Sequence, residues 1–427
     1  MGISRRQFTV GIGQVAAASA AFGLAAPALA NKKAKVVVIG GGAGGATAAK
    51  YIAKDSGGAI DVTLVEPSKT FVTCFHSNLV IGGVKTLADI SHGYDKLAGN
   101  YGISVVHQRA KAIDKSARKV TLDDGSTLDY DAVVLSPGID LKYDSVPGWS
   151  REAEEIMPHA WKAGPQTILL KEKLDAVPDG GTIVMLAPPN PYRCPPGPYE
   201  RVSMMAHALK RAGKTKSKIV VLDPKQKFSK QALFQEAWER VYPGMVDWLS
   251  AEIYETIKSV DPKTNTVVTG FETYKDAALV NVIPAQMAGT VARDAGLVNE
   301  SGFCPIDAGN MLSALDPNIY VIGDACIAGD MPKSAFSANS QAKVAAAAVR
   351  ARFASARAFP ARYQNTCWSM IDDDYAIKVG GRYEPKDGKI ASIEDFISKT
   401  GENDDVHRQT QSENMGWYEG ITADIFL

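Results

Sequence analysis

The sequence lacks most of the features that sort a chain quickly into a class. It has no charge excess, since 47 basic and 47 acidic residues leave a formal net charge of zero. With no basic stripe and no interleaving of basic and aromatic residues, nothing favours a nucleic-acid partner. Beyond residue 30 no segment is apolar for long enough to span a bilayer, so no membrane insertion is expected. The aromatic tail from Met415 to Leu427 contains no Lys or Arg, which a membrane-surface helix would want. The six histidines show no ligand spacing, and the five cysteines include no Cys-x-x-Cys pair, so no metal site is predicted. Cys-x-x-Cys-His is missing as well, so the chain does not attach a c-type haem itself.

The N-terminus carries an address. Ser4-Arg5-Arg6-Gln7-Phe8 is a twin-arginine signal, followed by an uncharged stretch and the small-residue cleavage pattern Ala28-Leu29-Ala30. This predicts a signal peptide over 1–30 and a periplasmic location. The remainder is long enough for two or three domains and a large core.

Lys35-Val36-Val37-Val38-Ile39 reads as a strand entering Gly40-x-Gly42-x-x-Gly45, with a small-residue helix after it and a second strand ending at Glu66. Strand before, helix after and an acid about twenty residues on make this a dinucleotide loop. Its first glycine permits the turn, and the helix N-terminus receives the pyrophosphate. Glu66 is placed to hold the adenosine ribose. NAD would satisfy the same loop, but Gly323-Asp324 after the strand Ile319–Ile322 selects FAD, because a late Gly-Asp reaches the ribityl chain in proteins with two dinucleotide domains. The predicted fold is α/β, with two Rossmann-like doubly wound domains of the glutathione-reductase kind and a C-terminal interface domain. Residues 31–148 and 291–355 make the FAD domain, 149–290 a degenerate second copy, and 356–427 the interface section.

In that second copy the strand from Thr182 to Ala187 runs into Tyr192-Arg193-Cys194-Pro195-Pro196-Gly197-Pro198-Tyr199-Glu200. A second glycine-rich loop for NAD(P)H is missing at this point. Prolines and a thiol replace it, which exchanges nucleotide binding for sulfur chemistry. An odd number of cysteines in an oxidising compartment leaves at least one unpaired within the chain. Cys194 and Cys367 are the candidate pair. A bridge between them would close about 170 residues, worth on the order of 5 kcal/mol in the chain-entropy model. The residues alone leave both a staple and a reactive pair open. Cys74 lies eight residues beyond Glu66, a stretch that spans at most about 26–29 Å. That distance lets the thiol reach the ring of a bound flavin, and a spectator thiol fits the spacing equally. Cys304 is read as a packed thiol, and Cys326 as buried near the flavin chain.

With these motifs in place, the chain resembles the flavin subunit of flavocytochrome c sulfide dehydrogenase over essentially all of its mature length. The resemblance rests on Thr73-Cys74-Phe75, the block from Arg193 to Arg201, Met331-Pro332-Lys333-Ser334, the run from Ser337 to Gln341 and Asn365-Thr366-Cys367. It implies FAD held covalently as an 8α-S-cysteinyl thioether at Cys74, with Gly40, Gly42, Gly45, Glu66, Gly323, Asp324 and Lys333 around the cofactor. It also implies a redox-active Cys194–Cys367 disulfide, Glu200 as proton acceptor, sulfide as substrate, and a separate c-type cytochrome subunit completing a heterodimer. Cys326 departs from the family pattern. The competing readings are a sulfide:quinone oxidoreductase, a pyridine-nucleotide or ferredoxin reductase, and a non-catalytic flavoprotein that binds a cytochrome.

Overall fold

A computed structural model describes residues 33–427. The expected export signal over 1–30 lies outside them. Strand β1 (Ala34–Ile39) leads through the glycine turn into helix α1 (Ala43–Asp55) and back to strand β2 (Ile60–Val65). Val36, Val37, Val38 and Ile39 are all buried. A central parallel strand is covered on both faces, which is why the sequence reads there as a continuous apolar run. Adding β3 (Ser104–Val106), β4 (Ala132–Leu135) and the late strand β9 (Ile319–Val321) gives a parallel sheet in the order β9-β4-β1-β2-β3. The chain thus returns to its first sheet after a long excursion.

That excursion builds a second parallel sheet, from β5 (Thr182–Leu186), β6 (Lys218–Asp223), β7 (Val246–Ser250) and β8 (Leu279–Val282), in the order β7-β6-β5-β8. Helix α2 (Gly197–Arg211) follows β5 directly after the Cys194 turn. Between the two sheets, residues 149–178 contain one helix, Pro165–Asp175, and a single 3₁₀ turn before it.

Helix α3 (Ala335–Phe353) packs along α1. Ala46, Ala48 and Ala49 on one helix and Ala342, Ala345 and Ala346 on the other are fully buried, so small side chains set a close approach. The C-terminal section is an antiparallel sheet of β10 (Tyr363–Asp372), β11 (Tyr375–Lys386) and β12 (Lys389–Ile397), followed by helix α4 (Asp404–Phe426). Asn403 caps α4 by accepting from the Val406 amide at 3.1 Å. Among the described residues no helix is long and apolar enough to cross a membrane.

Candidate active site

Two cavities meet at Cys74. The larger, about 520 Å³, is lined by Gly40, Gly42, Glu66, Gly323 and Asp324 and runs to Cys74 and Arg193. The smaller, about 70 Å³, is lined by Cys74, Cys194, Cys367 and Glu200 beneath Trp161 and Trp417. Arg193, Ser334 and Ala335 line both.

The larger cavity fits a dinucleotide. Gly40 adopts φ +97°, and a Cβ there would stand 2.2 Å from the Ser136 carbonyl oxygen. A Cβ on Gly45 would stand 1.8 Å from the Gly40 carbonyl oxygen, so only glycine lets α1 approach the turn. No side chain caps the N-terminus of α1, which leaves its first amides and the positive end of its dipole for phosphate. Glu66 sits at the far end, with one carboxylate oxygen accepting from the Gly41 amide at 2.8 Å and the other from the Ser68 amide at 2.9 Å. The remaining lone pairs are free for ribose hydroxyls. Asp324 is half-buried, and its buried Oδ1 has no hydrogen-bond partner. A buried unsatisfied carboxylate oxygen wants a donor, and a ribityl hydroxyl supplies one. The smaller cavity repeats the pattern with three orphaned donors, Trp161 Nε1, Trp417 Nε1 and Asn414 Nδ2, which suit a ring bearing carbonyls and nitrogens. The residues fit FAD spanning both cavities.

Lys333 reaches the site indirectly. Its ammonium donates to the main-chain oxygens of Asp324 at 2.9 Å and Cys326 at 2.6 Å, and lies 4.0 Å above the Phe303 ring. It therefore braces the turn that presents Asp324, and it lines neither cavity.

The cysteine turn is held from several sides. Cys194 takes a left-handed φ of +58°, its amide donates to the Lys333 oxygen at 2.7 Å, and its carbonyl accepts from Gly197 at 2.8 Å. The Tyr192 hydroxyl donates to the Pro195 oxygen at 2.7 Å. Arg193 donates to the Trp161 carbonyl and stands 4.0 Å from Asp324, so it joins the thiol and ribityl ends of the site. A non-glycine residue in the left-handed region marks a backbone fixed by its surroundings. Cys367 arrives from β10, with Asn365 Nδ2 3.4 Å from its sulfur. The two sulfurs expected to bridge are separate thiols facing one cavity, and all five cysteines are thiols in the structure. Cys304 and Cys326 are fully buried neighbours outside both cavities.

Glu200, in the first turn of α2, accepts from Asn78 at 2.8 Å and from the Met370 amide at 3.0 Å. Burial raises its carboxyl above the usual range, and those two hydrogen bonds oppose the rise. Desolvation, then the facing Cys367 and Glu200, push the Cys194 thiol well up. Arg201, fully buried, stacks 5.0 Å from the Trp161 ring. It donates to Asn78 at 3.1 Å, the His159 oxygen at 2.7 Å and the Ala160 oxygen at 2.5 Å.

Sequence reading missed Lys230 and Asn78. Lys230 is buried and donates to the Cys367 oxygen at 3.1 Å, Ser369 Oγ at 2.8 Å and the Ile377 oxygen at 3.3 Å. All three acceptors are neutral, so a buried ammonium stands beside the thiols without a carboxylate bonded to it. Burial brings its pKa down to about 8, against the pull of Cys367, Glu200 and Cys194. Its charge favours a thiolate. In the reduced protein at about pH 7, Lys230→Met is expected to slow alkylation of the Cys194–Cys367 pair about tenfold, the effect of one unit of thiol pKa. The rate–pH profile should move to higher pH, and Lys230→Arg should restore it. An unchanged profile in Lys230→Met would show that the charge does not act on the sulfurs.

Three family models match the chain: the central part of the sulfide dehydrogenase [flavocytochrome c] flavoprotein chain over 167–284, the flavin-binding part of flavocytochrome c sulphide dehydrogenase over 359–426, and pyridine nucleotide-disulphide oxidoreductase over 34–162. The sulfide dehydrogenase [flavocytochrome c] flavoprotein chain of Chlorobaculum thiosulfatiphilum is 59% identical over 46 residues, which are 11% of this chain and 94% of that sequence. The mitochondrial sulfide:quinone oxidoreductase of Dictyostelium discoideum is 23% identical over 324 residues, 73% of this chain and 69% of the relative. Among solved structures, the sulfide:quinone oxidoreductase of Aquifex aeolicus superposes with a TM-score of 0.72 at 17% identity, covering 92% of this chain and 91% of that one, which shows a shared fold. An FAD-type nucleotide loop, a thiol pair in place of a second nucleotide loop and two family-specific matches agree: the chain belongs to the family of the flavocytochrome c sulfide dehydrogenase flavoprotein chain.

Proposed function

We propose that the protein is the flavin-bearing subunit of a periplasmic sulfide dehydrogenase, oxidising sulfide to sulfur or polysulfide and passing electrons to a c-type cytochrome subunit. The observation that carries this reading is the convergence of Cys194, Cys367 and Glu200 on one small cavity that opens at Cys74 into the dinucleotide cavity. The small cavity has room for a few water-sized species, the scale of sulfide. With the pair oxidised, HS⁻ attacks one sulfur of the bridge. The S–S bond breaks, a new S–S bond leaves a persulfide on that cysteine, and the other departs as thiolate. Glu200, its carboxyl raised above the usual range by burial, takes the proton. Lys230 lies beside the developing thiolate charge. Bound FAD supplies acceptance of two electrons from the sulfur pair and their release one at a time to a haem. Cys74, where the cavities meet, is the proposed point of thioether attachment.

Acceptor choice tests the reading. Purified protein should reduce a c-type cytochrome on addition of sulfide and leave a soluble quinone oxidised; the opposite pattern would make it a quinone reductase.

A further inference from the structure

Helix α2 and strand β10 carry the two halves of the thiol site, and two consecutive rungs tie them together. In the first, the Met370 amide donates to Glu200 at 3.0 Å. In the second, two helical turns along α2, His207 Nδ1 stands 3.0 Å from Asp372 Oδ1. The second ring nitrogen is the unusual one. His207 is 2% exposed, its Nε2 has no hydrogen-bond partner, and it faces Asp373 Oδ1 at 3.6 Å. That separation is too long for a hydrogen bond. It is close to the edge, about 3.3–3.4 Å, between two ligands that each stand 2.0–2.1 Å from one tetrahedral zinc ion. One nitrogen of His207 and one oxygen of each carboxylate lie within 4.8 Å of one another.

A buried imidazole nitrogen without a hydrogen-bond partner, facing a carboxylate oxygen just beyond hydrogen-bond distance, leaves a place for a cation between them. We propose that His207 Nε2 and Asp373 bind one divalent cation of the zinc type, with Asp372 holding the ring from behind and water completing the shell. Mixed nitrogen and oxygen ligands select such an ion over magnesium or calcium, which prefer oxygen alone. The contact of Asp372 with Nδ1 fixes the ring, as a carboxylate behind a metal-binding histidine does. Histidine spacing along the chain is silent here because the ligands come from a helix and a strand far apart in sequence. The ion would cross-link α2 to β10 beyond Glu200, and so brace the elements that carry both sulfurs. This site does not depend on what the thiols do.

The test is calorimetric titration of the full-length flavin-loaded protein with zinc chloride, after chelator treatment and with the cysteines alkylated. One ion per chain is expected, with a rise in melting temperature as zinc is added. Asp373→Asn changes an exposed residue and should leave the fold intact while weakening binding at least tenfold; His207→Gln should weaken it further. Unchanged affinity in Asp373→Asn, or zinc binding that vanishes on thiol alkylation, would overturn the proposal. So would imidazole resonances of His207 that do not move with zinc, the signature of a plain histidine–aspartate ion pair.

Discussion

Cys194→Ser is expected to end sulfide-dependent reduction of the flavin, with a loss on the order of a thousandfold or more, the scale on which removing a nucleophilic centre acts. Dithionite should still reduce the flavin fully, because the dinucleotide cavity is lined by other residues. The comparison separates the two roles that the cysteine pair leaves open. A staple gives up stability when cut, on the order of 5 kcal/mol for a loop of about 170 residues, and spares the chemistry. A reactive bridge gives up the chemistry itself. The geometry favours the second: a left-handed Cys194 is braced by Lys333 and Gly197, and its sulfur shares a cavity with Cys367 and Glu200. Normal sulfide turnover in the serine variant would sink the disulfide mechanism.

An all-or-none result is expected when the protein is precipitated with acid. The yellow colour should stay with the pellet, and Cys74→Ser should release it to the supernatant. Cys74 follows the short strand Thr70–Val72 and is the one cysteine that lines both cavities. Its position is fixed on either side. Thr73 is 3.1 Å from the Tyr418 hydroxyl, and His76 takes a left-handed φ of +67° with its ring stacked 4.3 Å from Tyr418. A thiol held this firmly presents one face to the cofactor, the preorganisation that attachment to a ring carbon needs. Colour lost from wild-type pellets would remove Cys74 from its proposed role.

The first sheet was legible in the sequence because its signals are local. A β-branched run, a glycine loop, a small-residue helix and an acid at the next strand end all fall within 34–66, and the structure forms each of them. The thiol turn was legible for the same reason, since Cys194 and Glu200 share one proline-rich block. What the sequence hid is assembled over distance. Lys230 belongs to no motif, and it gains its role only where β10 brings Cys367 and Ser369, and β11 brings Ile377, around it. Asn78 acquires meaning only between Glu200 and Arg201. Lys333 stands in a family-specific stretch, yet its ammonium is occupied by main-chain oxygens; sequence marks a position and cannot say which atoms it satisfies. Residues 149–164 are largely irregular because Pro158 and Gly164 break any helix there and Arg201 takes up the carbonyls of His159 and Ala160.

The last helix has a consequence for the order in which the protein can be built. The end of α4 docks on the start of the fold. Asp424 accepts from Tyr51 at 2.6 Å and Asn339 at 2.8 Å, Lys50 donates to the Asp424 carbonyl at 2.9 Å, and Phe426 lies 5.9 Å from Phe71, which lines the dinucleotide cavity. Helix α1 therefore gains its partners only once α4 has formed. A chain without α4 would carry every nucleotide-binding motif of 34–66 and lack Asn414 and Trp417, which line the small cavity beside the cysteines.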